Sequence, residues 1–312
     1  MKSTLKLVLI ILLLTYGIDK VVYLVLNKIS DNVMTGQSIG KLNQFLSQKD
    51  SINLIAFGTS RSNHHIDVKK LNISSYNMGM DGSSIAYAAT LIKLLPKGKD
   101  QTVILNIDPN KLFIDDYDGS DIKGLITKYN RNRTVKEDIK DINQDNVLQY
   151  FLWSLDYNGK ALGIVKNYIS PKYDYESYYG FDPLEVSETQ AEQFKNTLQI
   201  ESTYDCDKKK NINPLVWKYI NVIKVFCEEN NKTLIMLTTP TYEPVCKVQY
   251  VKLAEKLKSI EVTYKDYSGF FTQNKDLTYW KDKTHLSSKG ATVFTEFLKQ
   301  DLQKNNLIKP NN

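Results

Sequence analysis

Ser60, Asp282 and His285 carry the side chains that serine-nucleophile chemistry requires. Ser60 comes directly after a short apolar run, residues 52–57, and the turn residue Gly58. Asp282 stands three residues before His285, so that both can lie on one side of a turn. A carboxylate placed in this way fixes the imidazole tautomer and leaves the other ring nitrogen free to take a serine proton. Singly, the serine fits a helix-capping role and the histidine a surface position; the combination favours nucleophilic catalysis.

Short apolar segments that alternate with helical patterns predict the scaffold for these residues. The pattern is typical of an α/β fold, and we expect a three-layer α/β/α sandwich around a mostly parallel five-stranded sheet. In such a sheet the loops after the first and last strands share the carboxyl edge, where Ser60 and His285 can meet. The predicted strands are 52–57, 75–78, 102–107, 233–238 and 260–267, and the predicted helices include 83–95, 214–229, 248–257 and 288–302.

Composition and charge exclude some classes of function. The 312 residues carry a net charge of +6, and the lysines are scattered without a basic stripe interleaved with aromatic residues, so nucleic-acid binding is not expected. Three cysteines without CxxC spacing argue against a full disulfide framework and against a metal site. A Cys206–Cys246 pair in an oxidising compartment stays open, and Cys227 is predicted to be a core thiol.

The amino-terminal segment, residues 1–29, predicts contact with a membrane. Lys2 and Lys6 precede an apolar run that becomes long enough to cross a bilayer once Asp19 and Lys20 are included, since lysine can reach the interface. A signal peptide is the alternative, with secretion after cleavage, but no Ala-x-Ala-like site follows the run. We therefore expect an uncleaved signal anchor, with the globular part, residues 30–312, on the extracytoplasmic side.

Residues 111–212 interrupt the alternation of strands and helices. The stretch is polar and rich in tyrosine, and about 100 residues are too many for one crossover connection. We interpret it as an inserted helical cap over the carboxyl edge of the sheet. Its tyrosines could stack on sugar rings or simply pack a small subdomain.

Four short blocks resemble those of the SGNH/GDSL hydrolases. Gly58-Thr59-Ser60 looks like the first block, with threonine where many members have aspartate, and Asp282-x-x-His285 looks like the last. Residues 77–82, Asn-Met-Gly-Met-Asp-Gly, are similar to the second block. Residues 106–110, Asn-Ile-Asp-Pro-Asn, stand where members often have Gly-x-Asn-Asp. This chain lacks the glycine and the aspartate that follows the asparagine. The resemblance covers residues of about 50–110 and 230–300.

This resemblance implies a flavodoxin-like SGNH fold and a set of site residues. Ser60 is then the nucleophile, His285 the base and Asp282 the residue that orients it, with no metal or organic cofactor. The N–H groups of Ser60 and Gly82 and the side chain of Asn110 form the implied oxyanion hole. The predicted pocket residues are Arg61, Asn77 and Gly79. His64 and His65 lie too close to Ser60 along the chain to serve as the base, and we expect them at the surface or the pocket rim.

The Ser-Arg sequence and the hydrophobic amino terminus look most like the membrane-anchored cell-envelope branch of these hydrolases. The implied function is a serine esterase, or an acyltransferase for acetyl or related groups, that acts on acylated polysaccharide or another ester. Both activities use an acyl-serine intermediate and differ in the acceptor. The alternative is a non-catalytic protein with the same fold that assists envelope polysaccharide assembly or modification.

Overall fold

Five parallel strands form a single sheet in the computed structural model, which describes residues 2–113, 115–198, 206, 211–274 and 276–308. The strands follow the order β2-β1-β3-β4-β5, and every neighbouring pair is parallel. The prediction of an α/β fold around five strands is thereby confirmed, with a fully rather than mostly parallel sheet; the family-specific sandwich stays a prediction. The strands are β1 (Leu54–Phe57), β2 (Ser75–Asn77), β3 (Gln101–Asn106), β4 (Lys232–Thr238) and β5 (Thr263–Asp266).

Eleven α-helices accompany these strands in the described parts of the chain. They are α1 (Lys2–Asp31), α2 (Lys41–Gln48), α3 (Ser60–His65), α4 (Ile85–Ile92), α5 (Pro109–Leu112), α6 (Arg133–Asp141), α7 (Ala161–Ile169), α8 (Glu188–Thr197), α9 (Pro214–Glu229), α10 (Lys247–Ser259) and α11 (Ser288–Lys304). Shorter 3₁₀ turns span Val68–Leu71, Ser120–Lys128, Val147–Tyr150, Trp153–Tyr157 and Leu277–Tyr279, and a π-helical turn spans Gly36–Gly40.

The sheet is buried on both faces, because the strand residues that alternate between the faces are equally inaccessible. Leu54 and Ala56 point to one face, whereas Ile55 and Phe57 point to the other, and all four are fully buried. The first face packs against α11, whose buried positions include Phe294. Helix α9 contacts β4 and α4. Burial on both faces explains why the central strands are continuous apolar runs.

The chain divides into two compact units. The first comprises residues 1–46 and 122–175, and the second comprises residues 47–121 and 176–312. The second contains the whole sheet, so the sheet residues and the Ser60 and His285 segments belong to one unit. Residues 122–175 of the predicted insertion fall in the first unit, and the rest of its described residues fall in the second. The predicted division at residues 29, 111 and 212 stays a prediction.

Helix α1 belongs to the first unit and is long and apolar enough to cross a membrane. Residues 3–31 have a mean hydropathy of 2.1 over their most apolar window, and that window is 11% buried. Its side chains from Leu5 to Ile18 are mostly exposed. Asp19 and Tyr23 are instead buried in contacts within the unit. A membrane anchor and a signal sequence both fit a helix of this kind.

Several helices differ from the sequence-based expectation. Residues 147–150 and 153–157, within the predicted insertion, form short 3₁₀ turns rather than α-helices. Helices α6 and α8 were not predicted, although Asn132 and Ser187 cap their amino termini through side-chain hydrogen bonds. Both helices are rich in charged or polar residues, so apolar periodicity alone did not identify them. Capping signals were therefore the better evidence for helices in this region.

A disulfide bond joins Cys206 to Cys246, and Cys227 is a buried free thiol. The pairing that the sequence left open is thus present, across a separation of 40 residues. Burial raises the pKa of the Cys227 thiol to about 12, so this thiol stays protonated and inert at neutral pH.

Replacing both Cys206 and Cys246 by serine is expected to lower the free energy of unfolding by about 2–4 kcal/mol, since the crosslink shortens the loop that the unfolded chain can explore. Denaturant unfolding of the full chain in detergent measures the change. The same double variant should be insensitive to reductant, whereas the parent should lose a comparable amount of stability in dithiothreitol. Equal stability of parent and variant would contradict a structural role for the bond.

Candidate active site

Ser60, His285 and Asp282 form a continuous chain of hydrogen bonds. The Ser60 Oγ lies 2.8 Å from the His285 Nε2. The His285 Nδ1 lies 2.9 Å from one Asp282 oxygen and 3.1 Å from the other. Ser60 and His285 are half-buried, so their side chains are held by their neighbours and are still accessible to solvent. The structure brings together the three residues that the sequence proposed as catalytic.

Ser60 is placed by the turn between β1 and α3. It is the first residue of α3, and Thr59 is the N-cap, with its Oγ1 accepting the Arg61 N–H. Gly58 makes the turn with φ +142°, and a Cβ at this position would lie 2.7 Å from the Asn106 carbonyl oxygen. Only glycine fits such a close approach of backbone to backbone. The serine N–H therefore belongs to the first helical turn, where N–H groups have no acceptor within the helix.

His285 is held by a tight loop between two core residues. Trp280 and Leu286, both fully buried, form an antiparallel bridge that closes the loop. Within it, the Lys281 N–H donates to the His285 carbonyl at 2.9 Å. The Ser287 hydroxyl then accepts the Gly290 N–H and caps α11. Core packing on either side thus fixes the imidazole at the sheet edge.

Asp282 organises this loop as well as the imidazole. Its Oδ1 accepts the backbone N–H groups of Thr284 at 2.7 Å and of His285 at 2.9 Å. Burial alone would raise the pKa of Asp282, but the hydrogen bond and charge of His285 and the Thr284 bonds outweigh it and hold the pKa well below its usual range. The carboxylate is therefore ionised at neutral pH. Because Nδ1 faces a carboxylate, it carries the hydrogen, and Nε2 presents its lone pair to the Ser60 hydroxyl.

His65 is completely buried beneath the loop, which corrects its predicted place at the surface or the pocket rim. Its Nε2 accepts the Leu286 N–H at 3.0 Å, so this nitrogen is unprotonated and the ring is neutral. Burial, followed by the charges of Arg61 and His285, holds the pKa of His65 well below its usual value. The one sequence signal for this burial is the apolar neighbour Ile66. His65 supports the backbone that carries His285.

His64 is also buried, whereas it was predicted at the surface or the pocket rim. Its hydrogen-bond partners favour the protonated ring. Its Nδ1 lies 2.6 Å from the Asp182 carbonyl oxygen, and its Nε2 lies 3.1 Å from an Asp81 oxygen. Both partners accept hydrogen bonds, so both ring nitrogens need a hydrogen and the ring is an imidazolium. Burial opposes this charge, but the hydrogen bond and charge of Asp81 and the Asp182 carbonyl raise the pKa of His64 above its usual value. The ring centroid lies 5.9 Å from that of His285.

The His64–Asp81 pair predicts a pH dependence of stability. A histidine with a raised folded-state pKa stabilises the fold fully below its unfolded pKa, near 6.5, and loses that contribution as the pH rises through the folded value. We expect the free energy of unfolding to fall over this range above pH 6.5 in the parent and to fall less in His64→Gln. Denaturant unfolding at a series of pH values tests this, with Asp81→Asn as a second variant that should flatten the same region. Parallel profiles for all three proteins would contradict the assignment.

Asn77 and Gly79 fasten the Ser60 segment to the neighbouring strand. The Asn77 side chain donates to the Ser62 carbonyl at 2.7 Å and to the Ile66 carbonyl at 2.8 Å, and it accepts the Gly79 N–H. A Cβ on Gly79 would collide with the backbone of Asn63. Asn77 is fully buried, so we assign this predicted pocket residue to positioning α3.

The predicted oxyanion donors occupy different settings. Gly82 lies in an exposed turn with φ +71°, and a Cβ there would meet no atom within 4 Å, so the space beside it is open. The Asn110 side chain instead donates to the Tyr250 hydroxyl at 3.5 Å, and its Oδ1 is buried without a partner among the described residues. No hydrogen bond among the described residues joins Asn110 to Ser60. The oxyanion roles of Ser60, Gly82 and Asn110 stay predictions.

Arg61 forms a buried ion pair with Asp108 behind the serine. The two side chains are 5% and 13% exposed, so this predicted pocket residue is largely removed from solvent. Asp108 also caps α5 by accepting the Asn110 N–H at 3.1 Å. The pair therefore links the segment after Ser60 to the segment after β3. One guanidinium nitrogen, Nη1, is buried without a partner among the described atoms.

Within the described residues, no group of three or more histidine, cysteine, aspartate or glutamate side chains is arranged to hold a metal ion. No family model matches this chain, and a search of curated proteins finds no matching relative. The geometry of the Ser60 site and the resemblance of its short sequence blocks are therefore the basis for a functional proposal.

Proposed function

We propose that the chain is a membrane-anchored serine esterase or acyltransferase of the SGNH/GDSL type. It acts on ester-linked acyl groups, with acetyl as the expected group, of an envelope or extracellular polysaccharide. The hydrogen-bonded chain from Ser60 through His285 to Asp282 carries the proposal, with its 2.8 Å and 2.9 Å links. The three residues are joined across 225 positions of sequence, which local turn chemistry does not explain.

In the proposed reaction, the Ser60 Oγ attacks the ester carbonyl while its proton passes to the His285 Nε2. The tetrahedral intermediate then collapses, the bond to the sugar oxygen breaks, and the leaving alcohol takes the proton from His285. An acyl-Ser60 ester remains. Water or a second hydroxyl then attacks this ester with His285 again as the base, and free acid or a newly acylated acceptor leaves. Asp282 stays ionised and stabilises the imidazolium in each half-reaction.

Two N–H groups are suited to hold the negative charge of the intermediate. The Ser60 N–H lies in the first turn of α3, and Gly82 lies in an open turn. Donors that are already oriented lower the barrier because they need no reorganisation when the charge develops, and losing one typically costs ~10²–10³ in rate.

The extracytoplasmic location is supported by two features. Helix α1 is apolar enough for a membrane anchor, and the Cys206–Cys246 disulfide suits an oxidising compartment. A polysaccharide substrate follows from the resemblance to the envelope branch. The proposal needs neither a metal nor an organic cofactor, because the serine, the imidazole and the N–H groups supply the acyl-transfer chemistry.

Fluorophosphonate labelling of the detergent-solubilised full chain tests the activated serine, with the modified residue mapped by mass spectrometry. We expect phosphonylation at Ser60 that disappears in His285→Ala, because the imidazole must take the serine proton. Ser83→Ala is a matched control, since Ser83 directly follows the second block and its hydroxyl donates to the Met80 carbonyl rather than to His285. A folded parent without labelling at Ser60 would contradict the enzyme and favour the non-catalytic assembly role.

Hydrolysis and transfer are separated by competition. With an acetylated oligosaccharide as donor and an unacetylated one as acceptor, a transferase forms newly acetylated acceptor faster than free acetate. An esterase releases acetate at a rate that the acceptor does not change. Both results are consistent with an acyl-Ser60 intermediate. A transferase differs from an esterase in that its acceptor excludes water from this intermediate.

A further inference from the structure

An exposed apolar segment stands next to α1 within the first unit. Val147, Leu148 and Phe151 are 71%, 55% and 61% exposed. They belong to the 3₁₀ turn Val147–Tyr150 and the residue that follows it. Three large apolar side chains in five residues of a turn are costly to leave in water, at about 25 cal/mol for each Å² of apolar surface. We call residues 147–151 the apolar turn.

Hydrogen bonds from side chains of α1 fix the position of the apolar turn along the helix. The Lys20 ammonium donates to the Phe151 carbonyl, and the Asp19 carboxylate accepts the N–H groups of Trp153 and Ser154 at 2.9 Å and 3.0 Å. Further along, the Tyr157 hydroxyl bonds to the side chain of Asn27. Residues 151–154 therefore lie beside residues 19 and 20 of α1, and Tyr157 lies further from its amino-terminal apolar part, beside Asn27.

The apolar surface of α1 continues beyond this height. Val21, Val22, Leu24 and Val25 are between 42% and 64% exposed, whereas Tyr23 on the other side of the helix is buried against Trp153 and Tyr157. A planar layer such as a bilayer that covers the exposed side of α1 as far as Val25 also extends past Lys20 along the helix axis. It thus reaches the exposed side chain of Phe151.

The residues around this level have the composition of a membrane interface. The Lys20 ammonium lies 4.3 Å from the ring centroids of both Tyr16 and Trp153. Tyrosine and tryptophan are enriched where the acyl chains meet the headgroups, and lysine places its charge in the headgroup layer. A lipid bilayer therefore fits this surface as a single occupant that covers both the helix and the apolar turn.

We propose that the apolar turn, through Val147, Leu148 and Phe151, inserts into the interfacial layer of the membrane that α1 enters. The proposal rests on the membrane anchoring included in the proposed function and is independent of the acyl chemistry. Insertion at this point adds a second membrane contact to the first unit. The unit is then held at a fixed height and rotation about α1, because one helix alone would leave rotation about its axis free.

Depth-dependent fluorescence quenching tests the insertion in the full chain. A polarity-sensitive nitrobenzoxadiazole label is attached at Leu148→Cys or Phe151→Cys, and the protein is reconstituted into vesicles of phosphatidylcholine and phosphatidylglycerol. The native cysteines do not compete, because two form the disulfide and Cys227 is buried. Circular dichroism of each variant checks the fold. Lipids with a nitroxide near the top of the acyl chain report on the interfacial layer.

Two reference positions make the result decisive. Leu12→Cys lies in the exposed apolar part of α1, and Asn158→Cys is an exposed position beyond Tyr157 on the side away from that part. We expect the labels at 12, 148 and 151 to lose about half or more of their emission to the nitroxide lipid, and the label at 158 to lose little, given an insertion depth of about 5–10 Å.

Quenching at 12 but not at 148 or 151 would overturn the inference and leave the anchor intact. If emission at 148 and 151 is blue-shifted but insensitive to the lipid quencher, a protein surface covers the turn and the inference fails. No quenching at any position would overturn both the anchor and the inserted turn. Labelling of Ser60 by a fluorophosphonate would still decide the enzyme separately.

Discussion

Replacing Ser60 by alanine is expected to abolish the proposed esterase activity. The substitution removes the hydroxyl oxygen that lies 2.8 Å from the His285 Nε2, and this oxygen is the proposed nucleophile. His285→Ala should lower kcat/KM for a simple ester such as p-nitrophenyl acetate by ~10³–10⁴, because general-base catalysis contributes about this much. Initial rates of p-nitrophenol release by the detergent-solubilised full chain measure both effects.

Asp282→Asn tests the same chain of hydrogen bonds with a substitution of nearly equal size. The amide cannot hold the imidazolium, and it can orient the ring with the wrong nitrogen protonated, so kcat should fall by ~10²–10⁴ while KM changes little. His65→Gln should have a smaller effect, since His65 supports the loop through a single hydrogen bond to Leu286. Equal activities for the parent and Asp282→Asn would remove Asp282 from the mechanism.

Removing the Arg61 charge is expected to give one of the largest losses of stability of any single substitution. In Arg61→Met, the Asp108 carboxylate keeps its largely buried position but loses its counter-charge. A buried charge left without its partner typically costs about 3–5 kcal/mol. Denaturant unfolding of the full chain in detergent should therefore show a large decrease in the free energy of unfolding.

The double variant Arg61→Met with Asp108→Asn tests the cause of that loss. Asparagine keeps the oxygen that caps α5 but removes the charge, so much of the lost stability should return. The matched control is Arg133→Met with Glu137→Gln, an exposed pair whose side chains are 90% and 56% accessible, where little change in stability is expected. If the double variant is no more stable than Arg61→Met, the unpaired carboxylate is not the cause.

The sheet was predictable because its strands are buried on both faces. Residues 54–57 and 234–237 are uninterrupted apolar segments that precede a glycine turn and a proline turn, and such runs identify central strands without reference to register. Strand β5 was harder, since Thr263 and Asp266 are exposed at the sheet edge and the run is shorter than expected. Helix α9 was predicted with its observed ends, because Asn213 caps it and Pro214 begins it.

The site residues were predictable only where residue type and short-range spacing in the sequence indicate them. Asp282 and His285 are three residues apart, and Ser60 follows a strand, so residue type and spacing were enough to propose them. The roles of His64 and His65 depend on Asp81, Asp182 and Leu286, which are distant in sequence and become neighbours only in the fold. Likewise, spacing along the chain gave no indication that Asn110 would turn toward Tyr250.

The long separation between Ser60 and His285 has a consequence for when reactivity arises. The two side chains are 225 positions apart, and the loop that holds His285 is closed by Leu286 and α11. Contacts of such high sequence separation form late, because they must first overcome the loss of chain entropy. A partly synthesised chain thus contains an ordinary, unactivated serine. The proposed nucleophile becomes reactive only when residues 282–302 have docked, so we expect that a newly made chain does not attack esters before its fold is complete.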